Sequence, residues 1–129
     1  MKDIRFVSAD EAVSHIPSNS HVHLSSVASV PHCLIQALCR RADAGDVTVL
    51  HFHQCHPEGP APYSDPAYEG IFFGQGFFVG PNVRKNVNSG YADYLPVHLG
   101  ETPKLYYEGH IRLSAALVNV SLPDENGMV

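Results

Sequence analysis

LHFHQCHPEGPAPYSDP, residues 50–66, joins three histidines and a cysteine to a loop stiffened by prolines, and its reading decides the fold. Read one way, His51, His53, Cys55 and His56 are metal ligands, and the chain is a small stand-alone metal- or ligand-binding module. Read the other way, the first residues end a strand, and Pro57 to Tyr63 shape the rim of a small-molecule cleft. His51 and His53 lie two apart, so they share one face of a strand, as do His21 and His23. With Cys55 or His56 that spacing allows a zinc site. Against it, the chain has no CxxC pair and no acidic ligand at a defined spacing, and it is too short for a metal-dependent barrel. Histidines satisfied in a core or at a sheet edge are the commoner outcome for this residue type. The expectation is therefore strand histidines and no metal.

Working outward, Val47, Val49 and Leu50 make Val47–Phe52 apolar enough for the interior of a parallel sheet. Before it, Pro31 fits the first turn of a helix running to about Ala44. Leu34, Ile35, Leu38 and Ala42 share one face of that helix, Arg40 and Arg41 complement its negative end, and Gly45 closes it. Earlier still, His21 and His23 alternate with Val22 and Leu24, a strand over Ser20–Ser25. Ser8 to Glu11 form a capping box opening a short helix to about His15.

Downstream, Gln54–Gly70 exceeds the usual connection of about 2–6 residues, and loops of such length tend to be functional. Pro57, Pro60, Pro62 and Pro66 fix φ there and lower the entropy lost on ordering. A helical turn is expected around Asp65–Glu69 and a short strand over Gly76–Val79. Gly80 and Pro81 open a helix through Ser89 that Gly90 closes. A strand over Asp93–Leu99 follows, then a helix capped by Thr102 with Pro103 first and Gly109 last, then an apolar strand over Leu113–Ser121. This alternation predicts an α/β fold, a mostly parallel open sheet with helices on both faces.

At 129 residues the chain is one domain with a real core. Its net charge of −5, from 8 Lys+Arg against 13 Asp+Glu, lacks the basic stripe that nucleic acid requires, so no nucleic-acid partner is expected. No apolar run approaches the ~18 residues of a membrane span. Met1 to Val7 carry no secretory core, so a cytoplasmic location is expected. Cys33, Cys39 and Cys55 are an odd number and are expected as reduced, mostly buried thiols. Pro123 to Gly127 make a strong turn two residues before the last residue, which suggests a partial chain.

Gly80 to Lys85 carry a physical rationale of their own. A glycine and a proline at a helix start leave amides free at the positive end of the dipole, and Arg84 and Lys85 add charge. A carboxylate or phosphate fits there.

Phe78–Lys85 (FVGPNVRK) followed by Tyr91–Val97 (YADYLPV) resembles the acetyl-CoA hydrolase/transferase family, which includes 4-hydroxybutyrate CoA-transferase. Glu58–Tyr63 (EGPAPY) resembles its proline loop, and Ser121–Gly127 (SLPDENG) resembles a turn within its first domain. The likeness runs from about Ser8 to the end. It implies a class I CoA-transferase-like fold paired with a second, similar domain of the same enzyme, and a homo-oligomer. It also implies an acyl-CoA and a small carboxylic acid, acetate- or 4-hydroxybutyrate-like, as ligands, with coenzyme A as substrate and no tightly bound cofactor. In that family a glutamate attacks the thioester, and the reaction passes through a glutamyl anhydride and a glutamyl-CoA thioester to an acceptor acid; the oxyanion needs stabilising donors. The resemblance places that glutamate in the second domain, so this chain is expected to carry no catalytic residue and to be inactive alone. The substrate-binding candidates are Glu58, Gly59, Pro60, Tyr63, Gly80, Asn82 and Arg84, with Ser26 toward the coenzyme. Ser26 stands where the family usually has glycine, which works against close backbone approach by a ligand. Glu125 to Gly127 mimic the glutamate motif of two-subunit relatives, but their setting is that of a structural turn.

Overall fold

The period-two alternation of residues 20–24 becomes β1 (Ser20–Leu24), with Ser20, Val22 and Leu24 buried and His21 and His23 half-buried on the opposite face. The computed structural model describes residues 5–129, so the reading of Met1–Val7 lies partly outside the described residues. The other strands are β2 (Leu50–Gln54), β3 (Phe72–Gly76), β4 (Ala92–Tyr94) and β5 (Ala115–Leu117). All pair in parallel, in the order β4-β3-β2-β1-β5. The helices are α1 (Ala9–Ser14), α2 (His32–Asp43), α3 (Pro81–Ser89) and α4 (Thr102–Tyr107).

Topology sorts the helices onto two faces. From β1 to β4 the chain steps toward one edge, so right-handed crossovers carry α2, the 55–71 loop and α3 over one face. The connection from β4 back to β5 crosses the whole sheet in reverse, which puts α4 on the other face. The contacts agree. Val83 of α3 joins Val22, Leu24, Phe52, Ile35 and Leu38 in one core cluster, whereas Tyr106 of α4 packs edge-on against His23 and Phe77. Alpha1 lies on α2, with Val13 fully buried and the Arg41 guanidinium donating to the Ile16 carbonyl at 2.9 Å.

Several boundaries differ from the sequence expectation. Strand β2 starts three residues late, because Thr48 and Val49 accept from the Asn19 amide and Thr48 donates to the Ser18 hydroxyl, which ties them to the preceding turn. Strand β3 occupies Phe72–Gly76 rather than Gly76–Val79. A Cβ on Gly76 would stand 2.9 Å from the Phe78 carbonyl oxygen, so the chain bends sharply where the strand was expected to start. Strand β5 is held to three residues: beyond Leu117 the Ser25 hydroxyl accepts from the Asn119 amide, and Val118 and Val120 are exposed. Strand β4 pairs only through Tyr94, although the Leu95 amide still reaches the Gly76 carbonyl.

Capping also differs in detail. Ser8 accepts from the Glu11 amide at 3.1 Å as expected, but the Glu11 carboxylate pairs with Arg5. Pro31 is the N-cap of α2 rather than its first residue. Glu101, not Thr102, occupies the N-cap of α4, and the Thr102 hydroxyl is buried without a partner. Gly90 ends α3 in the left-handed conformation. At the far end, Asp124 accepts from the Asn126 and Met128 amides, both at 2.8 Å, and these bonds hold its carboxyl below the usual range. No helix among the described residues is long and apolar enough to cross a membrane.

Candidate functional site

Ligands of open parallel sheets bind beyond the carboxyl ends of the strands. Here the segments leaving β1, β2 and β3 meet at that end. The Val27 amide donates to the His56 carbonyl at 2.7 Å, and Val27 pairs with Pro57 as an isolated parallel bridge. The His56 ring stands edge-on to Phe78, with centroids 5.4 Å apart, and Phe78 is 55% exposed. Gly80, the N-cap of α3, lies so close that a Cβ there would be 3.0 Å from His56 Nδ1 and 3.1 Å from Asn82 Oδ1. Both of these atoms are buried and unpartnered.

Most of the candidates from sequence gather at this rim. Glu58, Gly59 and Pro60 are exposed along it. Gly59 has φ +76, and a Cβ on it would meet the His32 ring at 3.1 Å. The Asn82 side-chain amide donates to the Pro57 carbonyl at 3.0 Å and the Gly59 carbonyl at 2.9 Å. Arg84 is exposed on α3, with its nearest recorded acceptor, the Val79 carbonyl, at 3.5 Å, so its guanidinium is available to an incoming anion.

Two candidates are placed differently. Ser26 takes the Cys55 amide at 3.0 Å on its hydroxyl and so continues the β1–β2 pairing past the strand end. Tyr63 is in the core: it is 4% exposed, packs edge-on against Phe52 and donates to Gln54 Oε1 at 2.7 Å. Burial pushes its phenol well above the ordinary range. A cavity of about 250 Å³ lies away from the rim, under the start of β4, among Asp65, Glu69, Phe73, Tyr91 and Asp93.

The opposite face of the sheet carries the histidines. Register sets His21 beside His51 and His23 beside His53. His21 Nδ1 and His53 Nε2 share a hydrogen bond of 2.8 Å, and the His21 ring stacks on those of His51 and His53, with centroids 4.7 and 5.1 Å apart. Burial first, then the neighbouring His21, His51 and His23, lowers His53 to about 4, and burial also lowers His51 and His23. His23 bonds the Tyr106 hydroxyl at 2.9 Å, and burial and the nearby Cys55 push that phenol up to about 12.

The metal-module reading finds no support in this arrangement. Among the described residues no group of three or more His, Cys, Asp or Glu is arranged to hold a metal ion. His51 and His53 stack within the sheet, whereas His56 sits at the carboxyl end beside Phe78. All three cysteines are free, but only Cys39 is buried; Cys33 is exposed and Cys55 half-buried. Val27 and His32 escaped the sequence reading. Valine at φ +57 leaves no local signature, and His32 reads as an ordinary helix-start residue.

Comparison with known proteins places this geometry in context. The acetyl-CoA hydrolase/transferase N-terminal domain matches residues 3–129. A succinyl-CoA:acetate/propanoyl-CoA:succinate CoA transferase of Fasciola hepatica is 34% identical over 118 residues, 92% of this chain and 24% of that protein. The 4-hydroxybutyrate coenzyme A transferase of Clostridium kluyveri is 32% identical over 123 residues, 95% of this chain and 28% of that protein. The crystal structure of RipA from Yersinia pestis aligns with a TM-score of 0.80 at 25% identity, covering 94% of this chain and 30% of that one. The chain spans about a quarter of the length of the curated relatives it matches.

Proposed function

This chain belongs to the acetyl-CoA hydrolase/transferase family, and from that premise we propose that its carboxyl-end cleft receives an acyl-CoA and a small carboxylic acid between which CoA is moved. The observation that carries the proposal is the convergence of Val27, His56–Gly59 and the start of α3 at the carboxyl ends of adjacent parallel strands. Glu58 to Pro60 form one wall, and Gly80 with Arg84 forms the other. Arg84 supplies the positive charge in a chain of net charge −5. A charge-assisted bond from its guanidinium to a carboxylate or phosphate oxygen contributes about 1.5–3 kcal/mol. Val27, Phe78 and the His56 ring give the cleft an apolar side that limits water around the thioester. The attacking glutamate is assigned to a second domain of the same protein, so this chain binds and orients without turning substrate over. The free thiols fit a reducing, cytoplasmic setting. The exposed Val118, Val120 and Leu122 give a homo-oligomer an apolar surface on which to form.

The test is an NMR titration of the chain with coenzyme A, and separately with acetate and 4-hydroxybutyrate. Shifts confined to residues 26–27, 56–60 and 80–84 are expected, and Arg84→Ala weakens binding by about 10- to 150-fold, the worth of one charge-assisted bond. Saturating ligand that leaves those segments unmoved refutes the reading.

A further inference from the structure

The Pro57–Gly59 segment is held from both sides. On the β1 side the Val27 amide donates to the His56 carbonyl, with Val27 at φ +57, a conformation that costs a β-branched residue energy and persists only where its surroundings fix it. On the α3 side Asn82 uses both hydrogens of its amide nitrogen, one toward the Pro57 carbonyl and one toward the Gly59 carbonyl. Because both partners are carbonyl oxygens, they can only accept, and this fixes which end of the amide faces them. Gly80 completes the arrangement, since a Cβ there would crowd the His56 ring at 3.0 Å and the Asn82 side-chain carbonyl at 3.1 Å and push them back from the helix start.

From this geometry we infer that Asn82 is a positioning residue, a latch that fastens the 57–59 rim onto the first turn of α3 so that rim and helix start form one rigid wall. Its amide hydrogens serve the loop rather than the ligand. The inference rests on the carboxyl-end cleft being the binding site, but the latch itself is read by a separate observable.

Two variants open the latch by different routes. Asn82→Asp keeps the shape but replaces the donor with an acceptor facing two carbonyl oxygens. Gly80→Ala leaves the backbone unstrained at φ −73 and adds a methyl 3.0 Å from His56 Nδ1. The measurement is the backbone order parameter of Glu58 and Gly59 by ¹⁵N relaxation, with Val22 and Phe52 as core references, alongside coenzyme A affinity. In the wild-type chain the rim is expected near the rigid value of ~0.85, falling below ~0.6 in both variants while the core references stay put. Affinity falls about tenfold with it, the worth of the lost hydrogen bonds. A wild-type chain that does not bind coenzyme A overturns the functional reading, and the order parameters still judge the latch. A rim equally rigid in Asn82→Asp and the wild type overturns the latch, as does loss of order that extends to Val22 and Phe52.

Discussion

Acid titration of the histidine face gives a quantitative test of the sheet register. His53 is 1% exposed, and its Nε2 is bonded to His21 Nδ1 while its Nδ1 has no partner. A second proton on the ring places charge among three other imidazoles in a buried site. Its value falls from 6.5 to about 4, mainly through burial. The neutral ring is therefore favoured in the folded state, and the unfolded chain takes up the proton first. The contribution is fully present above about pH 6.5, declines as pH falls from there to about 4, and is gone below that. At about 1.4 kcal/mol per pKa unit the full effect is on the order of 3 kcal/mol, and between pH 7 and pH 5 about 2 kcal/mol is lost. That is a large part of the ~5–15 kcal/mol that stabilises a domain of this kind. His51 and His23 shift in the same direction and add to it. Urea unfolding followed by far-UV circular dichroism at pH 7, 6 and 5 measures the loss. In His53→Gln the side-chain amide nitrogen stands in for Nε2 without titrating, so the pH slope should flatten even if the variant is less stable throughout. Wild-type and variant stabilities that run parallel from pH 7 to 5, or a wild type that gains stability on acidification, would show that His53 is not buried among histidines.

Three further outcomes are expected. Tyr63→Phe strands the buried Gln54 Oε1 and should cost about 1–3 kcal/mol by urea unfolding. Gly76→Ala sets a methyl 2.9 Å from the Phe78 carbonyl oxygen, a backbone atom that cannot move aside cheaply, and should destabilise by about 1–3 kcal/mol in the same assay. With a thiol-specific disulfide reagent at neutral pH, Cys33 should react first and Cys39 only on unfolding, because Cys39 is buried and burial raises its thiol.

Much of the architecture was legible locally. The Ser8 cap, the period-two histidine strand, α2 with its terminal arginines and the α3 unit from Pro81 to Gly90 all fall close to where their residues indicate. Strand boundaries were less legible. Apolar runs such as Leu113–Ser121 announce burial, but a strand lasts only as long as its neighbour offers partners, and Ser25 ends β1 early. The segments that meet at the carboxyl-end rim, 58–60 and 80–84, stand out in the sequence as two loops. Tyr63 follows the exposed residues of the first, yet it turns inward to Gln54, which no sequence pattern encodes.

The sequence by itself determined a parallel α/β sheet and the two segments that flank its carboxyl end, because helix and strand periods, caps and proline-fixed loops are properties of neighbouring residues. Its motifs carried the family likeness as well. Tertiary structure alone decided that His21 bonds His53 across 32 residues and that Asn82 ties down Pro57 across 25. Such contacts depend on register and crossover hand, and a one-residue slip of β1 against β2 would turn His21 and His23 to the face opposite His51 and His53.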